Sequence, residues 1–421
     1  MALIPRNIEP EVRDILASSR AAAVLGPRQA GKSTLAGELQ RAGIVPHYYN
    51  LDDEEMRKAA LRDPDGFVAD LETPAVIDEV QRAPGLLLAI KQVLDASDAR
   101  GQFLITGSAN VLASRAVADA LPGRVEYVRL WPLSQGEIEG RRDAFIDRLL
   151  AADPPRLSGE PKGRAAHAPR VVRGGFPDAF RRTDRQRGRY FDSYVQAVLS
   201  RDLATVGSLR VEPELLARLL GLLAARSGGL TAFSRLANDL EVDGKTVKAH
   251  SAMLEELFLV KRLRPWSRNI GSRHVKTPKL FLTDTGLMSG MLGVDANRYA
   301  AVDQGELAGM LLETFVTMEL IKQQTWATSR TELFFYRDAQ QREVDVVIES
   351  AAGDVAGVEI KATASLGRSD SLGLRFLRDK LGARFRAGVV LYTGSNTLQL
   401  DERVWAVPLA GLWGGDTDET H

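Results

Sequence analysis

The chain has 421 residues, 44% of them hydrophobic, which suits several domains with their own cores and excludes a disordered chain or a disulfide-stapled miniprotein. Lys and Arg total 55 and Asp and Glu total 55, so a whole-surface polycation is excluded, although a local basic patch is not. Cysteine is absent, which removes disulfides and Cys-ligated clusters and fits a reducing cytoplasm. The start, Met1-Ala2-Leu3-Ile4-Pro5-Arg6, has no charged leader before an apolar stretch, and no run approaches the roughly 18–20 apolar residues that span a bilayer. We therefore expect no signal peptide and no membrane partner.

From residue 21 to 130 short apolar runs alternate with amphipathic stretches. The runs Ala21–Gly26, His47–Leu51, Ala75–Val80, Gln102–Ser108 and Val125–Leu130 predict an α/β fold with a helix-covered parallel sheet. The first run leads into Gly26-Pro27-Arg28-Gln29-Ala30-Gly31-Lys32-Ser33, followed by Thr34 and a predicted helix over Ser33–Arg41. This fits G-x-x-x-x-G-K-[ST] in the strand–loop–helix context that gives the motif its meaning. Glycines let the main chain curl its amides toward phosphate oxygens, and the helix N-terminus adds partial positive charge. Lys32 is expected at the β- and γ-phosphates of ATP, Ser33 on Mg²⁺, and Thr34 near the α-phosphate. The third run ends in Asp78-Glu79. Asp78 is expected to hold Mg²⁺ through water and Glu79 to polarise the attacking water as general base.

Thr106 and Ser108 at the end of the fourth run, and Asn110 just beyond it, are polar candidates for touching the γ-phosphate or the water; Ser108 is the preferred one. Arg124 is the candidate finger for transition-state charge, in cis or across a subunit interface, with Arg115 as rival. Together with Ile77–Gln81, Leu104–Ser108 and Gly123-Arg124, the phosphate loop resembles that of a widespread prokaryotic group of AAA-type ATPases. Gly174-Gly175-Phe176-Pro177 and Ser200-Arg201-Asp202-Leu203 are similar to the start of that group's C-terminal region, a domain of unknown function. The resemblance implies an ATPase core, a winged-helix segment and a restriction-endonuclease-like end.

Further along, Ala151–Arg170 is rich in Pro, Gly and Arg and reads as a loop or linker. The stretch 186–225 has helical periodicity, and the arginines of Arg170–Arg189 could add to a basic face or reach a neighbouring subunit's nucleotide. Thr231–Leu240, with Thr231 as N-cap, and Lys245–Leu257 predict a helix-turn-helix, and Leu259–Pro265 a wing strand. The second helix would present Lys245, Thr246, Lys248 and His250 to base edges of double-stranded DNA. Lys261, Arg262, Arg264, Arg268, Arg273, Lys276 and Lys279 follow without one acid, as phosphate contacts would require. Contact with DNA and a role as protein spacer both stay open. Next come a helix over Glu306–Lys322 and strands over Glu332–Asp338, Arg342–Glu349, Val355–Lys361 and Phe385–Thr393. Asp345, Glu359 and Lys361 resemble the D…E-x-K set of metal-dependent nucleases, with Glu313 as a fourth member and a second divalent metal expected at Asp345 and Glu359. The five histidines show no ligand spacing.

The expected division is a P-loop ATPase domain at 1–140, a linker and helical segment at 141–209, a winged-helix-like domain at 210–295, a nuclease-like domain at 296–413 and a flexible tail at 414–421. The function expected is a Mg²⁺-dependent ATPase that couples nucleotide state to DNA binding or processing, as a homo-oligomer where the finger comes from a neighbour. The alternative is a nucleotide-controlled regulatory or scaffold protein with a catalytically inactive nuclease-like domain.

Overall fold

A computed structural model describes residues 3–108, 123–201, 212–267 and 277–414. Strands β1 (Ala21–Leu25), β2 (His47–Asn50), β3 (Ala75–Asp78), β4 (Phe103–Gly107) and β5 (Val125–Arg129) form a parallel sheet in the order β2-β3-β4-β1-β5. All five lie within the five apolar runs because a parallel sheet covered on both faces needs apolar residues in succession. In β1, Ala21 and Ala23 face the core under the helix Leu86–Ala96, whereas Ala22 and Val24 face the helices Glu9–Ser18 and Lys32–Arg41. Since the strands are parallel, the ends of β1, β3 and β4 share one edge, and β4 lies between the other two.

Beyond this sheet the chain turns through helices Gln135–Glu139 and Phe145–Leu150. The expected loop Ala151–Arg170 gives way at Arg164 to a helix, Arg164–Arg173. Pro169 hides it in the sequence, but Ala168, Val171 and Val172 bury themselves in the core, which outweighs the lost backbone bond. Helix Asp184–Arg201 follows, then Pro213–Ala224, Phe233–Leu240 and Gly244–Glu256. Thr231 does not cap the helix expected over Thr231–Leu240. Its N–H donates to the Pro278 carbonyl, next to a bridge between Leu230 and Lys279, so the chain is still extended there and the helix starts at Phe233. The second helix is capped instead by Asp243, which accepts from the amides of Lys245 (2.7 Å) and Thr246 (2.9 Å).

An eight-stranded mixed sheet completes the molecule, in the order β12-β13-β11-β10-β9-β8-β6-β7. Its strands are β6 (Val260–Pro265), β7 (Lys279–Leu282), β8 (Thr331–Arg337), β9 (Glu343–Ser350), β10 (Val355–Lys361), β11 (Phe385–Tyr392), β12 (Leu398–Asp401) and β13 (Val404–Pro408). β6 runs parallel to β8, and the Trp266 N–H donates to Phe335 at 2.6 Å, so the sheet crosses residue 295. One apolar core extends from Phe145 to Trp413, around the long helix Gly305–Gln323. Among the described residues no helix is long and apolar enough to cross a membrane.

Candidate functional site

The phosphate loop starts where β1 ends. A Cβ at Gly26 would lie 2.0 Å from the Leu130 carbonyl oxygen, so only glycine fits against the chain leaving β5. Gln29 and Gly31 take left-handed backbone (φ +60° and +100°), which turns the loop back toward its helix. That helix begins without a side-chain cap, which leaves its first amides for an anion. Lys32 is buried at the loop's centre, donating to the carbonyls of Gly26 (3.0 Å) and Pro27 (2.8 Å). Arg6 braces the loop: its guanidinium donates to the carbonyls of Ala30 (2.7 Å) and Trp131 (2.6 Å) and to Glu137 (3.0 Å).

Asp78 is 2% exposed and is met by three hydroxyls. Ser33 donates to Oδ1 at 3.1 Å, Tyr48 to Oδ2 at 2.8 Å, and Thr106 also donates to Oδ1. Burial, and then the Asp78 charge, push the Tyr48 phenol above its usual range, which keeps it a donor. Glu79 sits in left-handed backbone (φ +61°), its N–H on Thr106 at 3.1 Å. Gln81 fixes its carboxylate: the amide nitrogen donates both to Glu79 and to Ser108 Oγ (2.8 Å), while the Ser108 N–H returns to Gln81 Oε1 (3.3 Å).

Lys32, Ser33, Thr34 and Glu79 line a cavity of about 570 Å³ together with Tyr190 and Tyr194 of the helix Asp184–Arg201. The Tyr190 hydroxyl donates to Gln29, and Tyr194 to the Arg28 carbonyl at 3.5 Å. One hydroxyl (Ser33) and one carboxylate (Asp78) are the protein share of a magnesium site whose other ligands are phosphate and water, so these residues fit the ion.

The structure brings Gly26 to Thr34, Asp78, Glu79 and Ser108 together. It does not bring Arg124 to them. Val125 pairs with Ala21, at the opposite sheet edge from the loop, and Arg124 is bound to Asp95. Asn110 and Arg115 lie outside the described residues. Tyr48, Gln81, Arg6 and the two tyrosines were not anticipated. Gln81 had a signal, two residues beyond Glu79; the others are brought in by the sheet and by distant chain.

A second pocket, about 960 Å³, holds the C-terminal carboxylates. Continuing the β9–β10 register one step past Val346 and Val358 sets Asp345 beside Glu359. Asp345 Oδ2 accepts the Ile360 N–H at 2.8 Å, and Glu359 Oε1 accepts from Lys361 at 2.7 Å. Glu313 reaches the same floor from the helix Gly305–Gln323. Lys279, read as one of a run of phosphate contacts, is buried here instead, its ammonium 2.8 Å from Glu313, 2.7 Å from Glu343 and 3.9 Å from Asp345. Burial works to lower that ammonium, but Glu313, Asp345 and Glu343 outweigh it and raise it. Burial and the Asp345 charge push Glu313 up to about 7 and Glu359 up to about 8. Among the described residues no group of three or more His, Asp or Glu is arranged to hold a metal ion.

Of the residues expected on DNA, Lys245 and Lys248 are exposed. His250 is buried, its ring against the Thr246 carbonyl, because it lies on the inner face of its helix. Arg262 and Arg264 are paired to Glu255 and Glu332. Arg268, Arg273 and Lys276 lie outside the described residues. Within the Arg-rich stretch, Arg170 pairs with Glu139 and Arg187 with Asp184.

The parallel sheet, the loop and the Asp78 cluster make the N-terminal domain an AAA-type P-loop domain, a fold suited to binding nucleotide, and helices and a mixed sheet follow it. Residues 18–139 match the AAA domain, residues 167–298 a domain of unknown function (DUF8612), and residues 308–412 another (DUF4143). The uncharacterized proteins Rv2008c of Mycobacterium tuberculosis and Mb2031c of Mycobacterium bovis are each 28% identical over 421 residues, covering 100% of this chain and 87% of theirs. Two solved structures show a fainter likeness. The Walker-type ATPase PABY2304 of Pyrococcus abyssi has a TM-score of 0.40 at 12% identity, over 69% of this chain and 96% of its own. A DNA replication initiation factor has 0.23 at 13%, over 59% and 86%. Scores this low carry no weight for fold or function.

Proposed function

We propose that the protein is a Mg²⁺-dependent ATPase. The observation that supports this best is the convergence of Ser33, Tyr48 and Thr106 on the buried carboxylate of Asp78, with Glu79 held alongside by Gln81. Lys32 takes the β- and γ-phosphates, the loop amides the remaining oxygens, and Thr34 the α-phosphate. Magnesium, bound at Ser33 and Asp78, would supply charge neutralisation for the phosphates. Glu79 accepts the proton of the attacking water, and Ser108 positions Glu79 through Gln81. Mg²⁺-dependent ATP turnover should be lost in Lys32→Ala and Glu79→Gln, with nucleotide still bound by Glu79→Gln; undiminished turnover in both would refute the site. Arg124 follows a strand end that pairs with Ala21, at the far end of β1 from its own loop, so in this reading an Arg124 finger is supplied by a second copy, and ATP should raise the size of the particle on gel filtration. A cytoplasmic location, where ATP and Mg²⁺ are supplied, is part of this proposal.

Nucleotide state is coupled, in this proposal, to double-stranded DNA bound by the winged-helix-like segment through Lys245 and Lys248. Buried contacts supply the route. Arg6 touches both the phosphate loop and Glu137, and the neighbouring Gln135 N–H donates to Glu319 at 2.8 Å. Lys322 donates to the Leu133 carbonyl at 2.9 Å. Glu319 and Lys322 belong to the helix that carries Glu313 into the second pocket. Lys245→Glu should flatten the salt dependence of duplex binding by about one unit of log–log slope. The second reading, a nucleotide-controlled scaffold whose nuclease-like domain does not cut, is favoured by the ammonium of Lys279 among the carboxylates. Mg²⁺- or Mn²⁺-dependent cleavage of duplex that disappears in Asp345→Ala would exclude it.

A further inference from the structure

Carboxylates from three elements meet at the floor of the second pocket: Glu313 from the long helix, Glu343 and Asp345 from β9, and Glu359 from β10. A divalent ion shared by such groups needs several oxygens aimed at one point, for Mg²⁺ about six in all. Here the oxygens are aimed elsewhere. Lys279 places its ammonium 2.8 Å from Glu313, 2.7 Å from Glu343 and 3.9 Å from Asp345 Oδ1, with its side chain 4% exposed. Asp345 Oδ2 is taken by the Ile360 N–H and Glu359 Oε1 by Lys361. One oxygen of each carboxylate is then left, Glu359 Oε2 with no hydrogen-bond partner and Asp345 Oδ1 facing the Lys279 ammonium, so an ion spanning the pair would lie against a fixed positive charge. The residues therefore do not fit the second metal expected at Asp345 and Glu359.

We infer that Lys279 is a resident cation that stands among Glu313, Glu343 and Asp345 in place of a divalent ion, so that this pocket binds no divalent metal as the protein is built. The lysine is boxed in. Its main chain is paired within β7 and bridged to Leu230, its ammonium lies 5.4 Å from the Phe335 ring centre, and the turn above is tight enough that a Cβ on Gly228 would lie 3.1 Å from the Glu313 carboxyl carbon. An ion entering the site would have to break two charge-assisted hydrogen bonds and share a buried space with a fixed positive charge. This rests on reading residues 296–413 as nuclease-like, and it makes the lysine, rather than any missing acid, the reason that part does not take metal.

Mn²⁺ binding to the full chain without nucleotide, followed by electron paramagnetic resonance, tests it. Wild type and Asp345→Asn should bind the same amount of Mn²⁺. Lys279→Met should bind one further equivalent per chain, and Lys279→Met/Asp345→Asn should lose it again. Wild type binding an equivalent that Asp345→Asn lacks would overturn the inference, as would a folded Lys279→Met that gains none. The wild-type comparison decides the matter even if Lys279→Met does not fold. ATP turnover, measured in the same samples, reports on the phosphate-loop site separately, so failure of one reading is distinguishable from failure of the other.

Discussion

Asp78 receives three hydroxyl donors from three different segments, and that convergence sets what single substitutions do. Removing the Thr106 hydroxyl leaves a buried carboxylate short of a partner, which costs about 1–3 kcal/mol. Thr106→Val should therefore lower stability by that amount in urea unfolding and weaken Mg²⁺-dependent nucleotide binding with it. Gln81 acts through Glu79 rather than on the reaction. Gln81→Ala should cut kcat by up to about a hundredfold with KM little changed, since a displaced base loses rate rather than affinity. The loop, Asp78 and Glu79 were legible because their spacing along the chain is itself the signal. Tyr48 was not: β2 sits beside β3 only after the sheet forms, and a tyrosine on a strand carries no mark of the carboxylate it will meet.

Helix Gly305–Gln323 is the element that joins the two halves chemically. Glu319, Lys322 and Gln323 are buried on it, and they hold Gln135, Leu133 and Phe145. Next to this network Asp143 is bound by Ser134 and by the Gly136 N–H, and burial followed by the Glu319 charge pushes it up to about 8. Its folded-state pKa is thus raised, so the folded chain holds the proton more tightly than the unfolded chain does. The associated stability is fully present below pH about 4 and is lost as pH rises through about 8. Unfolding free energy measured across that window should fall with a slope that Asp143→Asn reduces. The helix ends of this region were the least legible part of the fold. Arg164–Arg173 contains a proline and follows a Pro- and Gly-rich loop, and tertiary burial alone decides it.

At the scale of the molecule, the phosphate loop touches distant chain twice, through Arg6 to Glu137 and through Tyr190 and Tyr194. Arg6 and Glu137 are a buried pair, with side chains 6% and 0% exposed. Taking away one partner of such a pair strands the other, at about 3–5 kcal/mol. Arg6→Ala should thus destabilise the protein by that order in thermal or urea unfolding. If the route described above carries coupling, a folded Glu319→Gln should keep ATP turnover while losing any effect of nucleotide on duplex affinity. The order of segments was readable in the sequence, but their interlocking was not, because a pattern within one strand does not say which remote strand will lie next to it.

The parallel pairing of β6 with β8 bears on how the chain comes into being. β6 ends at Pro265, its neighbour begins only at Thr331, and the edge they share cannot close until the later stretch has left the ribosome. The AAA domain, complete by β5, can collapse early during synthesis. The remainder must wait with an open strand edge and should be the slow, aggregation-exposed step of refolding.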